Sequence, residues 1–340
     1  VSESIAVDDL VAAVHCPRRY EYAAVYGLDG EERSSAEAAA ARRHEYCRRA
    51  ICAALRTGET DPDALLERAR TRLADHWHAR TDGVHYHSYA QRDHERRVHE
   101  ATLRAYADRF AEAHASGLAT LRERTDGELV GPDLPLSSTV TAPGSDEAIT
   151  LESRVDLVFL DESSLVGVRF VPTLSSLGLL RYRGRWEGDV ADRFEAHVDA
   201  ADETFDPGPV GALYETAATL DGLRAVRDRL ELGDHRCRYR HVALAAPGSL
   251  RVNWVRDAVE VTLESTDLTD VFLDHHTYGM TLEHRNRAVE SRLAALADAL
   301  ASGQFDPHEQ WETISSHSCP SCPYAVCCGD HLGEEVRFDG

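Results

Sequence analysis

Ser153-Arg154-Val155-Asp156-Leu157-Val158-Phe159-Leu160, followed after the turn Asp161-Glu162-Ser163-Ser164 by Leu165-Val166-Gly167-Val168-Arg169-Phe170-Val171, is the stretch that sets the fold class. β-branched and aromatic residues fill both runs and turn formers separate them, so the pattern predicts a β-hairpin. Side chains of a strand alternate between its faces, which puts Asp156 with Arg154 and Val158, and Gly167 with Arg169. A carboxylate on one strand beside a charged position on the next is a common basis for a metal-dependent hydrolytic site.

Working outward, alternation predicts strands at about 136–141, 148–160 and 165–171. A helix is expected from about Val210 to Leu230, and strands around 236–245, 249–255 and 258–263 should resume the sheet. Leu282, Val289, Leu293, Leu296 and Leu300 form a helical stripe stopped at Gly303. On the N-terminal side the period is helical. Asp8 can cap a short helix ending at Cys16-Pro17, Pro17 starts a second, and Ser34-Ser-Ala-Glu37 reads as a capping box. The helix after it carries the stripe Ala40, His44, Cys47, Ile51 and Leu55, on which His44, read by itself, is a core histidine. Residues 61–80 and the run from Val98 to Leu121 add two more helices. His76, His78, His85, His87, His94 and His99 lie between them and read as a solvated helical hairpin, because no cysteine or carboxylate spacing reinforces them. The expected architecture is one elaborated α/β domain over 1–340: a helical part (1–127), a sheet core (about 128–263), and a C-terminal helix with a cysteine cluster (280–329).

That cluster is His317-Ser-Cys319-Pro-Ser-Cys322-Pro-Tyr-Ala-Val-Cys327-Cys328-Gly329. Thiolates two residues apart can bind one centre, and Pro320 and Pro323 favour the irregular backbone such ligation needs. Three ligands are one short of a four-thiolate site, and Cys16, at a helix junction, is a candidate for the fourth. The most basic and aromatic patch is Arg181-Tyr-Arg-Gly-Arg-Trp186, where Arg181, Arg183 and Arg185 could hold phosphates while Trp186 stacks on a base. An exposed loop balanced by Glu187 and Asp189 accounts for it equally well.

The 340 residues carry a net charge of -22, and all 37 basic residues are Arg. Without lysine there is no phosphate-loop lysine, Schiff base or lysine general base. This acidic composition resembles that of proteins from salt-adapted organisms. At molar salt the Debye length is about 3 Å, so overall negative charge does not keep DNA from a locally basic groove. No apolar run approaches the ~20 residues of a membrane span, and the N-terminus lacks signal-peptide order, so the expected compartment is the cytoplasm, where thiols stay reduced.

Cys-Pro-Arg-Arg-Tyr at 16–20, a helical His44, Arg-Val-Asp-Leu at 154–157, and C-x2-C-x5-C at 319, 322 and 328 occur in this order across nearly the whole chain. The series resembles the RecB-like branch of the PD-(D/E)XK nucleases that carry an iron-sulfur cluster, including the CRISPR-associated four-cysteine exonucleases. The resemblance implies a restriction-endonuclease-like core, a central mixed sheet flanked by helices. It further implies a [4Fe-4S] cluster on Cys16, Cys319, Cys322 and Cys328, with Cys327 as near neighbour, and Mg or Mn on His44 and Asp156. The family's acid-x-lysine falls on Gly167-Val-Arg169, leaving Arg169 as the catalytic-position cation, and its glutamine falls on Val210 before Tyr214. With the second carboxylate gone, the expected function is an iron-sulfur DNA-binding protein, weakly active or inactive as a nuclease. It would act in DNA repair, recombination or CRISPR adaptation, on a single strand or duplex end and with a protein partner. One alternative is an active Mg/Mn exonuclease with a carboxylate relocated to Glu152 or Glu45. Another is a structural zinc protein that binds a partner protein.

Overall fold

The computed structural model describes residues 4–28, 30, 35–80, 86–142, 144, 147–185, 190–199, 204–246, 248–253, 255, 258–272, 285–307 and 310–335. The predicted hairpin forms as β3 (Ala148–Asp161) and β4 (Ser164–Val171), antiparallel with Leu157 opposite Val168 and Asp161 opposite Ser164. Around it lies a mixed sheet with β1 (Ser4–Ala6), β2 (Val130–Thr141), β5 (Arg236–Ala243) and β8 (Glu264–Asp267), in the order β1-β3-β4-β5-β8 with β2 also on β3. β4 and β5 are parallel, Val168 opposite Arg240, and the chain between them supplies a crossover helix.

β2 covers one edge of β3 along most of its length. The other edge is shared, with β1 paired at residues 150–152 and β4 at 157–161. Asp156 therefore sits on β3 in the gap between two partner strands. The expectation that 249–255 and 258–263 rejoin the sheet is corrected: among the described residues, β6 (Leu250–Asn253) and β7 (Ala258–Val261) pair only with each other. The strand that does rejoin it is β8, antiparallel to β5.

Helices cover the sheet. α1 (Val7–His15), α2 (Pro17–Tyr20) and a π-helical turn (Glu21–Val25) open the chain. They are followed by α3 (Ser35–Arg56), α4 (Pro62–Arg80), α5 (Tyr89–Tyr106) and, after a second π-turn, α6 (Glu112–Arg122). A 3-10 segment (Ser175–Arg185) and α7 (Val190–Val198) lead to α8 (Pro207–Arg229), which is buried along almost its whole length. After α9 (Leu268–Phe272) come α10 (Arg287–Ala301), α11 (Trp311–His317) and α12 (Gly329–Glu335).

Two close approaches need glycine. A Cβ at Gly117 of α6 would stand 2.1 Å from the Leu160 carbonyl oxygen, and one at Gly211 of α8 would stand 2.8 Å from Val11. These contacts press α6 onto β3 and α1 onto α8. The main apolar core runs from Ile5 to Leu300, with a smaller cluster at Cys16, Ile314 and Cys319, and at about 25 cal/mol per Å² of apolar surface such burial is the main driving force for the fold. Among the described residues, no helix is long and apolar enough to cross a membrane.

Candidate functional sites

Where β4 diverges from β3, the ladder stops at Leu157 and Val168, and the Phe170 backbone loses its strand partner on that side. Side chains take over. Phe170 N–H donates to Asp156 Oδ2 at 2.7 Å, and the Phe170 carbonyl accepts from His44 Nε2 at 2.9 Å. Buried backbone groups need partners, so the two residues expected to hold a metal repair a gap in the sheet. This bond to a carbonyl leaves His44 protonated at Nε2. Burial pushes its pKa down, so the ring is neutral.

The other oxygen of Asp156 faces a cation supplied by the protein itself. Arg48 Nε donates to Asp156 Oδ1 at 2.7 Å, while its Nη2 reaches Asp133 and its Nη1 lies 3.3 Å from Glu45 Oε2. One guanidinium thus sits among three carboxylates, on a side chain only 12% exposed beside an Asp156 side chain that is fully buried. Burial alone raises the Asp156 pKa, and Arg48 opposes that rise. For Asp133, burial is outweighed by Arg48, which holds the carboxyl below its usual value. Neither Arg48 nor Asp133 was singled out by sequence reasoning, although the signal for Arg48 was present: residues four apart on a helix share a face, so Arg48 stands directly beyond His44. Asp133 owes its place to a left-handed backbone (φ 61).

The remaining expected positions point elsewhere. A Cβ at Gly167 would lie 3.0 Å from Leu223 and 3.3 Å from Val155, so a side chain there meets the α8 side of the sheet. Arg169 also turns to that side, with Nη1 2.7 Å from Glu215 on α8 and Nη2 2.8 Å from Asp8 on α1. Glu215 receives Tyr239 O–H as well and lies 3.2 Å from His241 Nε2. Burial would raise the Glu215 pKa. Arg169, followed by His241, outweighs it and holds the carboxyl well below the usual range. Val210 and Tyr214 are buried, Tyr214 edge-on to Phe194. Glu45 joins the Arg48 group, whereas Glu152 is exposed on β3 between Ala6 and Ser137.

The second site joins the ends of the chain. Cys16, in extended conformation between α1 and α2, packs with Ile314 and Cys319. Cys16, Cys319, Cys322 and Cys328 line one cavity with Arg18, Arg19 and Tyr22. Burial raises the Cys16 pKa, while the backbone N–H groups of Arg18 and Arg19 favour the thiolate. Cys327 is exposed, and its Sγ turns to the Tyr324 carbonyl at 3.3 Å. Ordinary contacts brace the site: Arg18 bonds Asp330 at 2.8 Å, Tyr324 O–H donates to the Leu28 carbonyl, and Tyr22 packs on Tyr324. Among the described residues, no three His, Cys, Asp or Glu side chains converge on an ion-sized point, so the four thiols share a cavity without closing on a single atom. Tetrahedral zinc, with Zn–S near ~2.3 Å, needs sulfurs about 3.8 Å apart, whereas a cluster of several iron and sulfide atoms spaces its thiolates more widely. The donors are of the type both groups take, and the cavity between them is about 10 Å³. The other three cysteines, Cys47, Cys52 and Cys237, are buried within the main core.

Of the histidine-rich segment, His87 is exposed as expected of a solvated hairpin, but His99 is buried between Tyr46 and Trp77 with Nδ1 2.6 Å from the Glu95 carbonyl. His85 and the His78 side chain lie outside the described residues, as do the side chains of Arg183, Arg185 and Trp186. Arg181 is half-buried in the 3-10 segment. In comparison with known proteins, the chain matches no protein-family model and no curated sequence.

Proposed function

We propose that this chain is an iron-sulfur, DNA-binding protein of RecB-like PD-(D/E)XK nuclease fold whose hydrolytic centre no longer works as one. The observation that carries this reading is Arg48, a fixed cation among Asp156, Asp133 and Glu45. A divalent metal would have to displace a guanidinium bonded to those same carboxylates, so like charge opposes its entry. Arg169 does not stand in for the family's lysine, because Glu215 and Asp8 occupy it on the other side of the sheet. A mixed sheet flanked by helices accords with the core that the resemblance implies, and the gathering of Cys16, Cys319, Cys322 and Cys328 around one cavity supports the cluster assignment. When bound, a [4Fe-4S] cluster would supply positive charge that keeps the four cysteines as thiolates. A role in repair, recombination or CRISPR adaptation, with a protein partner of such a complex, accords with this family.

The test is cleavage of single-stranded and duplex DNA in molar KCl with Mn2+ or Mg2+. The expected result is no cleavage above that of Asp156→Ala, together with DNA binding that does not depend on the metal. Asp156-dependent cleavage by the wild-type chain would overturn the proposal and favour the active exonuclease. Arg48→Ala supplies a companion measurement: freeing the three carboxylates should tighten Mn2+ binding by about tenfold or more, since removal of one buried cation is worth at least ~1.4 kcal/mol.

A further inference from the structure

A cavity on the β5–β8 side of the sheet takes no part in either site. It measures about 300 Å³ and is lined by Phe110, His114, Arg238, Arg240, Ser265 and Asp270, among others. That volume lies at the lower end of ligand pockets, which run roughly 300–1,000 Å³. Its position follows from strand alternation. Tyr239 and His241 of β5 turn to Glu215 on α8, while Arg238, Arg240 and Val242 line the cavity.

The charges exclude the most obvious ligand. Arg238 pairs with Asp267 at 2.9 Å and Asp270 at 2.6 Å, and Arg240 pairs with Asp267 at 3.2 Å and Asp161 at 2.9 Å. Two guanidiniums against three carboxylates leave no surplus positive charge for a phosphate. A neutral polar ligand suits the balance.

The unspent hydrogen-bonding groups describe its edge. Tyr106 O–H and His114 Nδ1 are 2.9 Å apart; the phenol proton has no other acceptor among the described residues, so Nδ1 accepts and Nε2 carries the ring proton. Burial pushes the His114 pKa down to about 3, so the ring stays neutral. Among the described residues, the His114 Nε2–H and the Nη1 groups of Arg238 and Arg240 are donors without partners. Asp270 Oδ2 and Ser265 Oγ are acceptors in the same position. Phe110 and His114 lie nearly parallel, 5.7 Å apart and 19° inclined, and give the cavity an aromatic wall.

A planar, uncharged ring with adjacent acceptors on one edge and donors on another meets all these conditions. We propose that this cavity binds one unstacked purine base, with guanine preferred. Guanine offers O6 and N7 to the arginine and histidine donors and its N–H groups to Asp270. The aromatic wall packs against the ring, as in single-strand recognition. The pocket stands on its own geometry. The DNA-binding reading bears only on whether the base arrives on a strand end or as a free nucleoside.

The experiment is calorimetric titration of the full chain in molar KCl with guanosine, with adenosine, and with a short single strand ending in guanine as competitor. Saturable guanosine binding, tighter than adenosine binding, is expected. Ser265→Phe places a ring in the mouth of the cavity from an exposed position on β8, and should weaken guanosine binding by about tenfold or more, as expected when one base-stacking contact is lost, with an unchanged melting temperature. Phe110→Ala should weaken it comparably. No saturable binding by the wild-type chain, or equal binding by Ser265→Phe, would overturn the proposal. Competition by the guanine-ended strand places the base on DNA. Guanosine binding without such competition keeps the pocket, assigns it to free nucleosides, and counts against the DNA-binding reading alone.

Discussion

Around Asp156 and around Cys16 the same question, what an inorganic group would bind to, has opposite answers. At Asp156 one oxygen belongs to Arg48 and the other to Phe170 N–H, while His44 is spent on the Phe170 carbonyl. At Cys16, four thiols from both ends of the chain face one cavity, and the ionic and aromatic contacts that close the site lie beside the sulfurs. The first region holds a cation of the protein's own, the Arg48 guanidinium. The second gathers four thiols around one small cavity. A residue's place at an expected catalytic position therefore says where its backbone is and leaves open what its side chain does.

The contrast can be broken most sharply at the cysteines. On the proposed reading, anaerobically purified protein is brown with broad absorption near ~400 nm, and Cys16→Ala should abolish both and lower unfolding free energy by about 5 kcal/mol, the chain-entropy value for cross-linking a very long loop. Urea denaturation and iron analysis read both, and retention of metal and stability together would remove Cys16 from the site. Next is Asp156→Ala, which takes from Arg48 its one fully buried counter-charge, leaving Asp133 and Glu45, and from the buried Phe170 N–H its acceptor; it should cost about 3 kcal/mol, and replacing Arg48 with Met in the same chain should recover part of that loss. A cost below about 1 kcal/mol would show that Arg48 is not held as described. A smaller effect belongs to Glu215, whose carboxyl lies below its ordinary pKa. Its stabilisation is complete above the unfolded-state value of about 4.3 and is lost as pH falls through the folded value, so Glu215→Gln should flatten the acid limb of stability below about pH 4.5. Cys327→Ser gives the smallest change, within about 0.5 kcal/mol and with iron content intact, in contrast to Cys328→Ser.

Much of the framework was legible in the residues. Alternation located β2, β3, β4 and β5 because each has apolar positions directed at a covering helix, and the helical stripes located α3, α4, α8 and α10 for the same reason. β1 escaped because three residues hold no period. β8 escaped because Glu264-Ser-Thr-Asp267 is polar throughout: it closes an edge, and Asp267 serves the arginines of β5. The Arg48 group was hidden for a different reason. Its three carboxylates come from α3, β2 and β3, and only the divergence of two strands brings them to one guanidinium. Glu215, adjacent to the expected Tyr214 position, shows the same limit, since the buried charge that selects it comes from β4.

The packing of Cys16 against Cys319 also orders events in time. These residues are 319 - 16 = 303 positions apart, and at a synthesis rate of about 5–20 residues per second the first waits roughly 15–60 s for the second. The hairpin and its covering helices leave the ribosome within that interval. Any group held between the two ends is therefore loaded onto a chain whose hairpin and covering helices have already been made, so its delivery follows the synthesis of the sheet.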